Sequence, residues 1–447
     1  MRLFTVLAVL PALGGLCQAA YRGNTLRPAV KADYDVIIVG GGPAGLSAAS
    51  GLARVRRNVL LIDSGEYRNA PTRHLHDVIG FDGRSSSPTG SSSHMRSAAQ
   101  RWTGVTPAYF RWKARNQIRE YGTVSLINGT VTKIQPQADN SFFTVSADYP
   151  DEHNLTFTAR KIILATGLRD LIPSTPGLRE NWGKGIYWCP WCDGHEHADQ
   201  QLGILGPLEK GPGAVREIIT LNQDIILFVN GTDTPDQRTT TEEDFPQWEE
   251  YLKLHSINID NRIITSIERL SNGTTGDEDP SLPSVPEHDL FQLNFETGDP
   301  VLRAAILTNF ETAQKSPLGV EIGVALYGGK LAVDASRGLV TNIPGVFAIG
   351  DANSDNTTNI PHAMYSGKKT AVYIQGKMRS DKPSVEPYTT EANCCYRHLV
   401  ELETENADAE LSVQSTKTKR GLENYMRDLW SRMNVPGEVL YAGDFDQ

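Results

Sequence analysis

Residues 34–45 read Tyr-Asp-Val-Ile-Ile-Val-Gly-Gly-Gly-Pro-Ala-Gly, and a run rich in small residues follows over 46–54. The apolar residues 36–39 are typical of a parallel strand that is buried on both faces. Glycines directly after such a strand permit a tight turn and let a pyrophosphate approach the N-terminus of the next helix. The stretch therefore predicts a strand, a dinucleotide-binding turn and a helix, and the turn comprises Gly40, Gly41, Gly42, Pro43, Ala44 and Gly45.

An acidic residue follows the next predicted strand. Residues 58–62 are mostly apolar, and Asp63 comes 23 residues after Gly40, about where dinucleotide-binding units carry a ribose-binding carboxylate. A glycine motif alone is a weak signal, but strand, glycines, helix, strand and acid in this order are specific. We therefore expect Asp63 to bind a ribose.

The stretch Trp188-Cys189-Pro190-Trp191-Cys192-Asp193 carries a second signal. A Cys-x-x-Cys pair can close and reopen a disulfide, and such pairing lowers a thiol pKa. Asp193 places an ionisable group within reach of the sulfurs. The alternative is a structural disulfide or half of a zinc site. His195 and His197 lie close in sequence, but the chain has no second Cys-x-x-Cys to complete such a site. We expect a redox-active pair and no metal.

Two further apolar strands end in glycine. Residues 161–167 end in Ala165-Thr166-Gly167, which suits backbone contact with a dinucleotide, and residues 347–351 end in Gly350-Asp351. Asp351 can receive the ribityl hydroxyls of a flavin, or it is an ordinary helix N-cap. His74 and His76 are interpreted as loop residues against a cofactor or solvent rather than as metal ligands.

A second nucleotide-binding unit is predicted to be degenerate. Residues 202–206 form a strand that ends in glycine, but the following glycines do not have the G-x-G-x-x-G spacing. The strand over 224–229 leads into Asn-Gly-Thr-Asp at 230–233, with no arginine to bind the 2′-phosphate of NADP. The segment 239–289 is predicted to be polar and rich in loops.

Length and charge limit the function classes. The chain has 447 residues, enough for two or three domains, and its net charge of −10 argues against nucleic acid and anionic membranes as partners. Residues 1–19 are predicted to be a secretory signal peptide, with an uncleaved anchor or a first core helix as the alternative. Secretion would make N-glycosylation possible at five sequons, at Asn128, Asn154, Asn230, Asn272 and Asn356.

The C-terminal tail, 384–447, contains the adjacent cysteines Cys394 and Cys395 and a stretch with helical spacing of apolar residues over 419–433. The helix is expected to pack on the body of the protein or on a partner subunit. The two cysteines are interpreted either as a disulfide without function or as a relay between bulky thiols and Cys189.

Together these motifs resemble the thioredoxin-reductase-like flavoproteins, and they span residues 34–380 in the family's order. Residues 63–69 and 359–363 look most like a fungal branch, which holds the dithiol oxidases of gliotoxin-type biosynthesis and secreted sulfhydryl oxidases. The resemblance implies an α/β fold with two Rossmann-like dinucleotide-binding domains. The FAD domain would consist of two segments, 34–175 and 309–383, with a Cys-x-x-Cys domain, 176–308, inserted between them.

The resemblance also implies a homodimer that binds FAD. Cys192 would lie next to the flavin, Cys189 would exchange with the substrate, and Asp193 would be the acid/base residue. His362 would be either a second base or a flavin contact. The implied cofactor-binding residues are Gly40, Gly41, Gly42, Pro43, Ala44, Gly45, Asp63, Ser64, Arg68, Asn69, His76, Val131, Thr166, Gly350, Asp351 and His362.

Because the NADPH-binding glycines and arginines are missing, the sequence favours a secreted FAD-dependent thiol oxidase over a reductase. Such an enzyme would oxidise a small thiol or dithiol and pass the electrons to O2, giving H2O2. One alternative is an NADPH-dependent disulfide reductase of the same fold. The other is a non-catalytic secreted flavin-binding protein with a structural Cys189–Cys192 bridge.

Overall fold

The computed structural model describes residues 32–79, 81, 105–137, 140–149, 155–274, 286–355 and 358–380. Several predictions from the sequence lie outside these residues: the signal peptide, the sequons at Asn154 and Asn356, the Cys394-Cys395 pair and the 419–433 helix. The chain divides after residue 377. The elements below belong to the N-terminal unit, apart from the last three residues of the final helix.

A seven-stranded sheet forms the first half of the fold, with strand order β3-β2-β1-β6-β5-β4 and a last strand, β19 (Val346–Ala348), beside β6. Strands β1, β2, β3, β6 and β19 pair in parallel, whereas β4, β5 and β6 pair antiparallel. The first six strands are β1 (Tyr34–Val39), β2 (Val59–Asp63), β3 (Val124–Asn128), β4 (Thr130–Gln137), β5 (Phe142–Asp148) and β6 (Leu155–Leu164).

Two helices pack beside this sheet. Helix α1 (Pro43–Ala53) begins directly after the glycine turn, and its buried small residues, such as Ala48 and Ala49, let it lie close to the strands. Helix α2 (Pro107–Arg119) is capped by Thr106, whose hydroxyl accepts a hydrogen bond from the Tyr109 N–H. Because α1 follows the end of the parallel strand β1, the turn between them lies at the carboxyl edge of the parallel strands, where α/β sheets bind ligands.

The inserted region contains a five-stranded parallel sheet of order β11-β10-β9-β15-β8 and a three-stranded antiparallel sheet of order β12-β13-β14. Its strands are β8 (Ile186–Tyr187), β9 (Leu202–Leu205), β10 (Ile225–Phe228), β11 (Asn258–Asp260), β12 (Ile264–Ser271), β13 (Leu290–Phe295), β14 (Val301–Arg303) and β15 (Ala305–Thr308). Its helices are α3 (Pro190–Asp193), α4 (Gly211–Ile218), α5 (Pro235–Asp244) and α6 (Trp248–Leu254).

The chain enters and leaves the insertion through two paired strands. Strand β7 (Leu168–Asp170) runs antiparallel to β16 (Thr312–Gln314). Beyond β16 the chain returns to the first sheet, where β19 pairs with β6. The predicted α/β class with a discontinuous first domain is thereby confirmed. The remaining elements are α7 (Leu318–Glu321), β17 (Leu326–Tyr327), β18 (Lys330–Leu331), β19 (Val346–Ala348) and α8 (Ile360–Ser380).

The prediction that 239–289 is rich in loops is wrong for the described part of that segment. It holds most of α5, all of α6, and strands β11 and β12. Helix α6 lies within a polar segment, but its Trp248 and Leu252 are each only 2% exposed and pack in the core of the insertion. The average polarity of the 239–289 segment did not predict this packing, because two large apolar side chains on one face are enough to pack a short helix.

Among the described helices, none is both long enough and apolar enough to cross a membrane.

Candidate active site

A cavity of about 530 Å³ lies at the glycine turn and extends to the cysteine pair. It is lined by residues from both segments of the first domain and from the insertion. The predicted site residues that line it are Gly40, Gly41, Gly42, Pro43, Ala44, Asp63, Ser64, Arg68, Asn69, His76, Val131, Thr166, Cys192, Asp193, Gly350 and Asp351. The fold therefore brings together motifs that are up to 311 residues apart in sequence.

The glycine turn fits the pyrophosphate of FAD. Gly40 has a φ of 111°, and a Cβ there would overlap the Ala165 carbonyl oxygen. A Cβ on Gly45 would overlap the Gly40 carbonyl in the same way. Gly42 differs, because no described atom lies within 4 Å of where its Cβ would be. The turn is therefore closely packed at Gly40 and Gly45 and open at Gly42. The N-terminus of the eleven-residue α1 lies at this open side.

Asp63 is buried and lies within a small hydrogen-bond cluster. It accepts hydrogen bonds from the Gly65 N–H at 3.1 Å, the Tyr67 hydroxyl at 2.5 Å and Arg115 Nη1 at 2.7 Å. Burial and the bond to Asp63 raise the pKa of Tyr67 to about 12, so the hydroxyl stays a donor. The sequence did not point to Arg115, because an arginine on a polar helix carries no local signal for a contact 52 residues away.

Arg68 contacts two other parts of the first domain and one residue of the insertion around the cavity. Its Nη2 donates to Asp170 at 2.6 Å, its Nη1 donates to Asp351 at 3.0 Å, and its guanidinium lies 5.5 Å from the centre of the Trp188 ring. Asp351 lines the cavity, where Arg68 fixes its carboxylate, and its contact with a flavin stays a prediction. Asp170, at the end of β7, was not identified from the sequence.

Cys189 and Cys192 form a disulfide at the start of α3. Cys192 lines the cavity, whereas Cys189 does not and is partly exposed. Both cysteines are partly exposed, so the difference between them is that Cys192 alone lines the cavity where the cofactor is predicted. This arrangement agrees with the roles that the family resemblance implies, and those roles stay predictions. Trp191, between the cysteines, is 67% exposed.

Asp193 lines the cavity directly after Cys192. Burial raises the pKa of its carboxyl to about 7, and the negative charges of Glu287 and Glu196 act in the same direction. His76 and Arg73 oppose this shift. A carboxyl that titrates near neutral pH can both accept and return a proton under working conditions.

A buried ionic network lies next to Asp193 and joins the 73–76 loop to the insertion. Arg73 pairs with Glu287 and Asp289, Arg269 also pairs with Asp289, and His74 Nδ1 lies 3.4 Å from a Glu287 oxygen. Burial alone would raise the pKa of Glu287, but the hydrogen bond from His74 and the charge of Arg73 lower it to about 2. None of these ion pairs was predicted from the sequence.

Three groups in this network, His197, Glu287 and Asp289, have potential ligand atoms within 4.8 Å of one another. Arg73 donates hydrogen bonds to both carboxylates, and Arg269 adds another to Asp289. Two guanidinium groups therefore already provide the positive charge that a cation would bring, and we interpret the cluster as a salt-bridge network.

Besides Cys189, two predicted site residues do not line the cavity. Gly45 lies behind Gly40, within α1. His362 is near the start of α8, where its Nε2 lies 2.7 Å from Asp355 Oδ2 and its backbone N–H donates to Asn359 Oδ1. Its neighbours Ile360 and Ala363 do line the cavity. The role of His362 as a base or a flavin contact stays a prediction.

The turn of the second nucleotide-binding unit is closed. The Leu208 N–H donates to the Thr232 hydroxyl at 3.0 Å, and the Lys210 N–H donates to the Pro207 carbonyl at 3.1 Å. Pro207 and Pro212 have no N–H at all. A Cβ on Gly211 would overlap Leu227, so this glycine serves packing against β10. Few donors are left at this turn to bind a pyrophosphate.

Comparisons with known proteins agree with this geometry. A family model described as pyridine nucleotide-disulphide oxidoreductase matches residues 34–206. An Arthroderma benhamiae protein, "Probable thioredoxin reductase", is 42% identical over 357 residues, which cover 78% of this chain and 81% of that protein. "Thioredoxin reductase aclD" of Aspergillus oryzae is 31% identical over 264 residues, and the match covers 55% of this chain and 72% of the length of that protein. The crystal structure of thioredoxin reductase from Streptococcus pyogenes, 18% identical, shares the fold with a TM-score of 0.59 over 78% of this chain and 98% of its own.

Proposed function

Since the chain belongs to the thioredoxin-reductase-like FAD flavoproteins and is an FAD-dependent disulfide oxidoreductase, we propose that it works as a thiol oxidase. Electrons would enter from a thiol or dithiol at Cys189–Cys192 and leave to O2. The observation that carries this proposal is the closed second turn. There the Leu208 N–H already donates a hydrogen bond to the Thr232 hydroxyl, and positions 207 and 212 are prolines without an N–H. A reductase needs NADPH, and NADPH needs free N–H donors at that turn.

The cysteine pair supplies the exchange chemistry. Partly exposed Cys189 can be reached by a substrate thiolate while a cofactor fills the cavity, because Cys189 lies outside the cavity lining. Attack on Cys189 breaks its bond to Cys192 and gives a mixed disulfide. A second substrate sulfur then attacks the first one, which forms the substrate disulfide and releases Cys189 as a thiolate.

The residues around the cavity would hold FAD and handle protons. Gly42 and the start of α1 would hold the pyrophosphate, and Asp351, fixed by Arg68, would face the ribityl chain. The chemistry that FAD supplies when bound is transfer of two electrons from the reduced Cys189–Cys192 pair to oxygen, which closes the disulfide again and, with two protons, yields H2O2. Asp193, with its pKa of about 7, can take the proton of an incoming thiol.

The relatives named thioredoxin reductases support a second candidate, an NADPH-dependent disulfide reductase. The insertion retains the parallel β9–α4–β10 unit that such an enzyme requires. A purely structural disulfide has less support, because Cys192 and a carboxyl that titrates near neutral pH line the same cavity.

One experiment separates the two catalytic candidates. The purified yellow protein is mixed anaerobically with a dithiol or with NADPH, and bleaching of the flavin absorbance is followed by stopped flow. The oxidase proposal expects rapid bleaching by the dithiol and far slower bleaching by NADPH, followed by H2O2 formation when oxygen is admitted. Bleaching by NADPH at the dithiol rate would establish the reductase instead.

We also propose that the protein is secreted, N-glycosylated and dimeric. The sequons at Asn128, Asn230 and Asn272 have exposed asparagines, as glycosylation requires. Treatment of the protein from culture medium with a glycosidase should lower its apparent mass, and light scattering should give twice the mass of one chain. An unchanged mass or a monomer would contradict the corresponding part of the proposal.

A further inference from the structure

The cysteine pair and the cofactor cavity come from different parts of the chain. Cys189 and Cys192 lie in the insertion, whereas the glycine turn and Asp351 belong to the two segments of the first domain. The chain passes between these parts through the paired strands β7 and β16. We propose that Arg73 is a positioning residue that holds the insertion, and with it the cysteine pair, at the cofactor cavity. This inference concerns the step between the cysteine pair and FAD, so it applies to an oxidase and to a reductase alike.

The loop 71–76 of the first domain packs directly on the insertion. Gly183 of the insertion has a φ of 74°, and a Cβ there would come within 2.9 Å of the backbone at Pro71 and Thr72. A side chain at this position would be strained by its φ and would overlap the loop, so glycine lets the two backbones lie close together. The loop therefore meets the insertion at a defined place, and Arg73 follows directly after this contact.

Arg73 spans the boundary with a fork of hydrogen bonds. Its Nη1 and Nη2 donate to the two carboxylate oxygens of Asp289 at 2.8 and 2.9 Å. Nη1 also donates to Glu287, and Nη2 donates to Asn272 Oδ1 at 2.7 Å. The side chains of Arg73 and Glu287 are 11% and 10% exposed, and that of Asp289 is fully buried. Because the guanidinium is planar and its donors form a rigid fork, these bonds fix the direction of approach as well as the distance.

The buried charges favour this arrangement only while their partners are present. Burial by itself would raise the pKa of Glu287, but the hydrogen bond from His74 and the charge of Arg73 lower it to about 2, so this carboxyl is charged. Asp289 also pairs with Arg269. Removing one member of a buried ion pair leaves an uncompensated charge. Water can solvate that charge if the insertion moves away from the loop, so loss of Arg73 favours a displaced insertion.

Arg73 acts on electron transfer through the position of the insertion. It does not line the cavity, whereas its neighbours Thr72 and His74 do. When the reduced cysteine pair closes its disulfide, one thiol and one thiolate give two electrons and one proton to the flavin. This transfer needs Cys192 at the cavity. Exchange of a small dithiol with Cys189 needs only an accessible disulfide. Arg73 therefore matters for the transfer and not for the exchange.

The test measures anaerobic bleaching of the flavin in the holoenzyme by stopped flow at increasing dithiothreitol concentration. The initial slope of rate against concentration reports exchange at Cys189, and the plateau reports transfer from the cysteine pair to the flavin. The pH is about 8.5, where Asp193, with its pKa of about 7, is ionised. In Arg73→Gln the slope should equal that of the parent. The plateau should fall by about tenfold, as expected when only a tenth of the chains hold the insertion in place.

Further variants separate position from charge. Arg73→Lys keeps the positive charge but has no fork, so its plateau should also fall. Asp289→Asn should lower the plateau from the other side of the contact. The double variant should lose no more than the larger single effect, because both changes break one contact. Arg238→Gln is the matched control and should keep the slope and the plateau of the parent. Arg238 also pairs with two carboxylates, those of Asp233 and Glu249, but all three residues lie in the insertion.

An unchanged plateau in Arg73→Gln would overturn the proposal, as would an equal loss in Arg238→Gln. A slope that falls together with the plateau would also overturn it, because Arg73 would then support the disulfide itself. Additive losses in the double variant would show that Arg73 and Asp289 act separately, against the proposal. Should Arg73→Gln lose its flavin or fail to fold, Arg73→Lys and Asp289→Asn decide the matter. The measurement needs neither oxygen nor NADPH, so its result can be read even if the oxidase proposal fails.

Discussion

The two strand–turn–helix units of this chain share a topology but differ in what their turns offer a ligand. In the first, residues 40–44 and the N-terminus of α1 line the cavity. In the second, the Leu208 N–H is bonded to Thr232, and prolines occupy positions 207 and 212. The first turn can therefore bind a pyrophosphate. In the second turn, backbone N–H donors are either already hydrogen-bonded within the protein or absent because the residue is proline.

This difference shows that topology does not decide whether a dinucleotide-binding turn is functional. The deciding feature is the supply of free N–H groups. At the second turn that supply is reduced by a side chain 24 residues further along the chain. The turn then contributes to packing of the insertion, while electrons would enter through the cysteine pair.

The largest effect is expected from substitution of the cysteines, the proposed point of electron entry, and it tests this comparison directly. Cys189→Ser should abolish turnover with thiols, because no sulfur would remain to receive the substrate. Cys192→Ser should also abolish turnover, but its Cys189 thiol could still be trapped as a mixed disulfide by the oxidised substrate. Oxygen uptake and mass spectrometry check both results, with flavin content as the control for folding. Turnover of Cys189→Ser at the parent rate would mean that the pair is structural.

A matched pair of glycine substitutions tests the two turns against each other. Gly40→Ala should lose most of the bound FAD, because Gly40 has a φ of 111° and a Cβ there overlaps the Ala165 carbonyl. Gly213→Ala, in the second turn, should keep the flavin, because no described atom lies within 4 Å of its Cβ position. Alanine is also favoured over glycine within a helix, here by roughly 0.5–1 kcal/mol. Flavin content per chain is the measurement, and equal losses in both variants would contradict the comparison.

The smallest effect concerns the hydroxyl that closes the second turn. Thr232→Val should lower the free energy of unfolding by about 1–3 kcal/mol, because the Leu208 N–H would be left unpaired. Thr232→Ser keeps the hydroxyl and is the matched control. NADPH should remain a poor reductant in both, since the prolines still lack N–H donors. Urea unfolding and flavin bleaching measure the two properties, and fast bleaching by NADPH in Thr232→Val would show that the hydroxyl alone blocks the site.

Much of the site could be predicted because its motifs are local. The glycine turn, Asp63 and the Cys-x-x-Cys pair depend on residues within a few positions of one another, so their spacing carries the chemistry. The residues that were missed act over long sequence separations. Arg115 reaches Asp63 across 52 residues, and Arg73 reaches Glu287 across 214. An arginine or glutamate on a polar stretch looks like a solvated side chain until folding supplies its partner.

The sequence by itself determined the α/β class and the residue types of the redox site, because strand pattern and motif spacing are properties of neighbouring residues. The interrupted first domain was predicted from the family resemblance that those motifs carry. Only the tertiary structure decided that Cys192 rather than Cys189 faces the cavity, and that Asp193 has a pKa near 7. It also decided that the second turn is closed. Each of these properties depends on which distant groups bury, charge or hydrogen-bond a side chain, and those neighbours meet only when the chain folds.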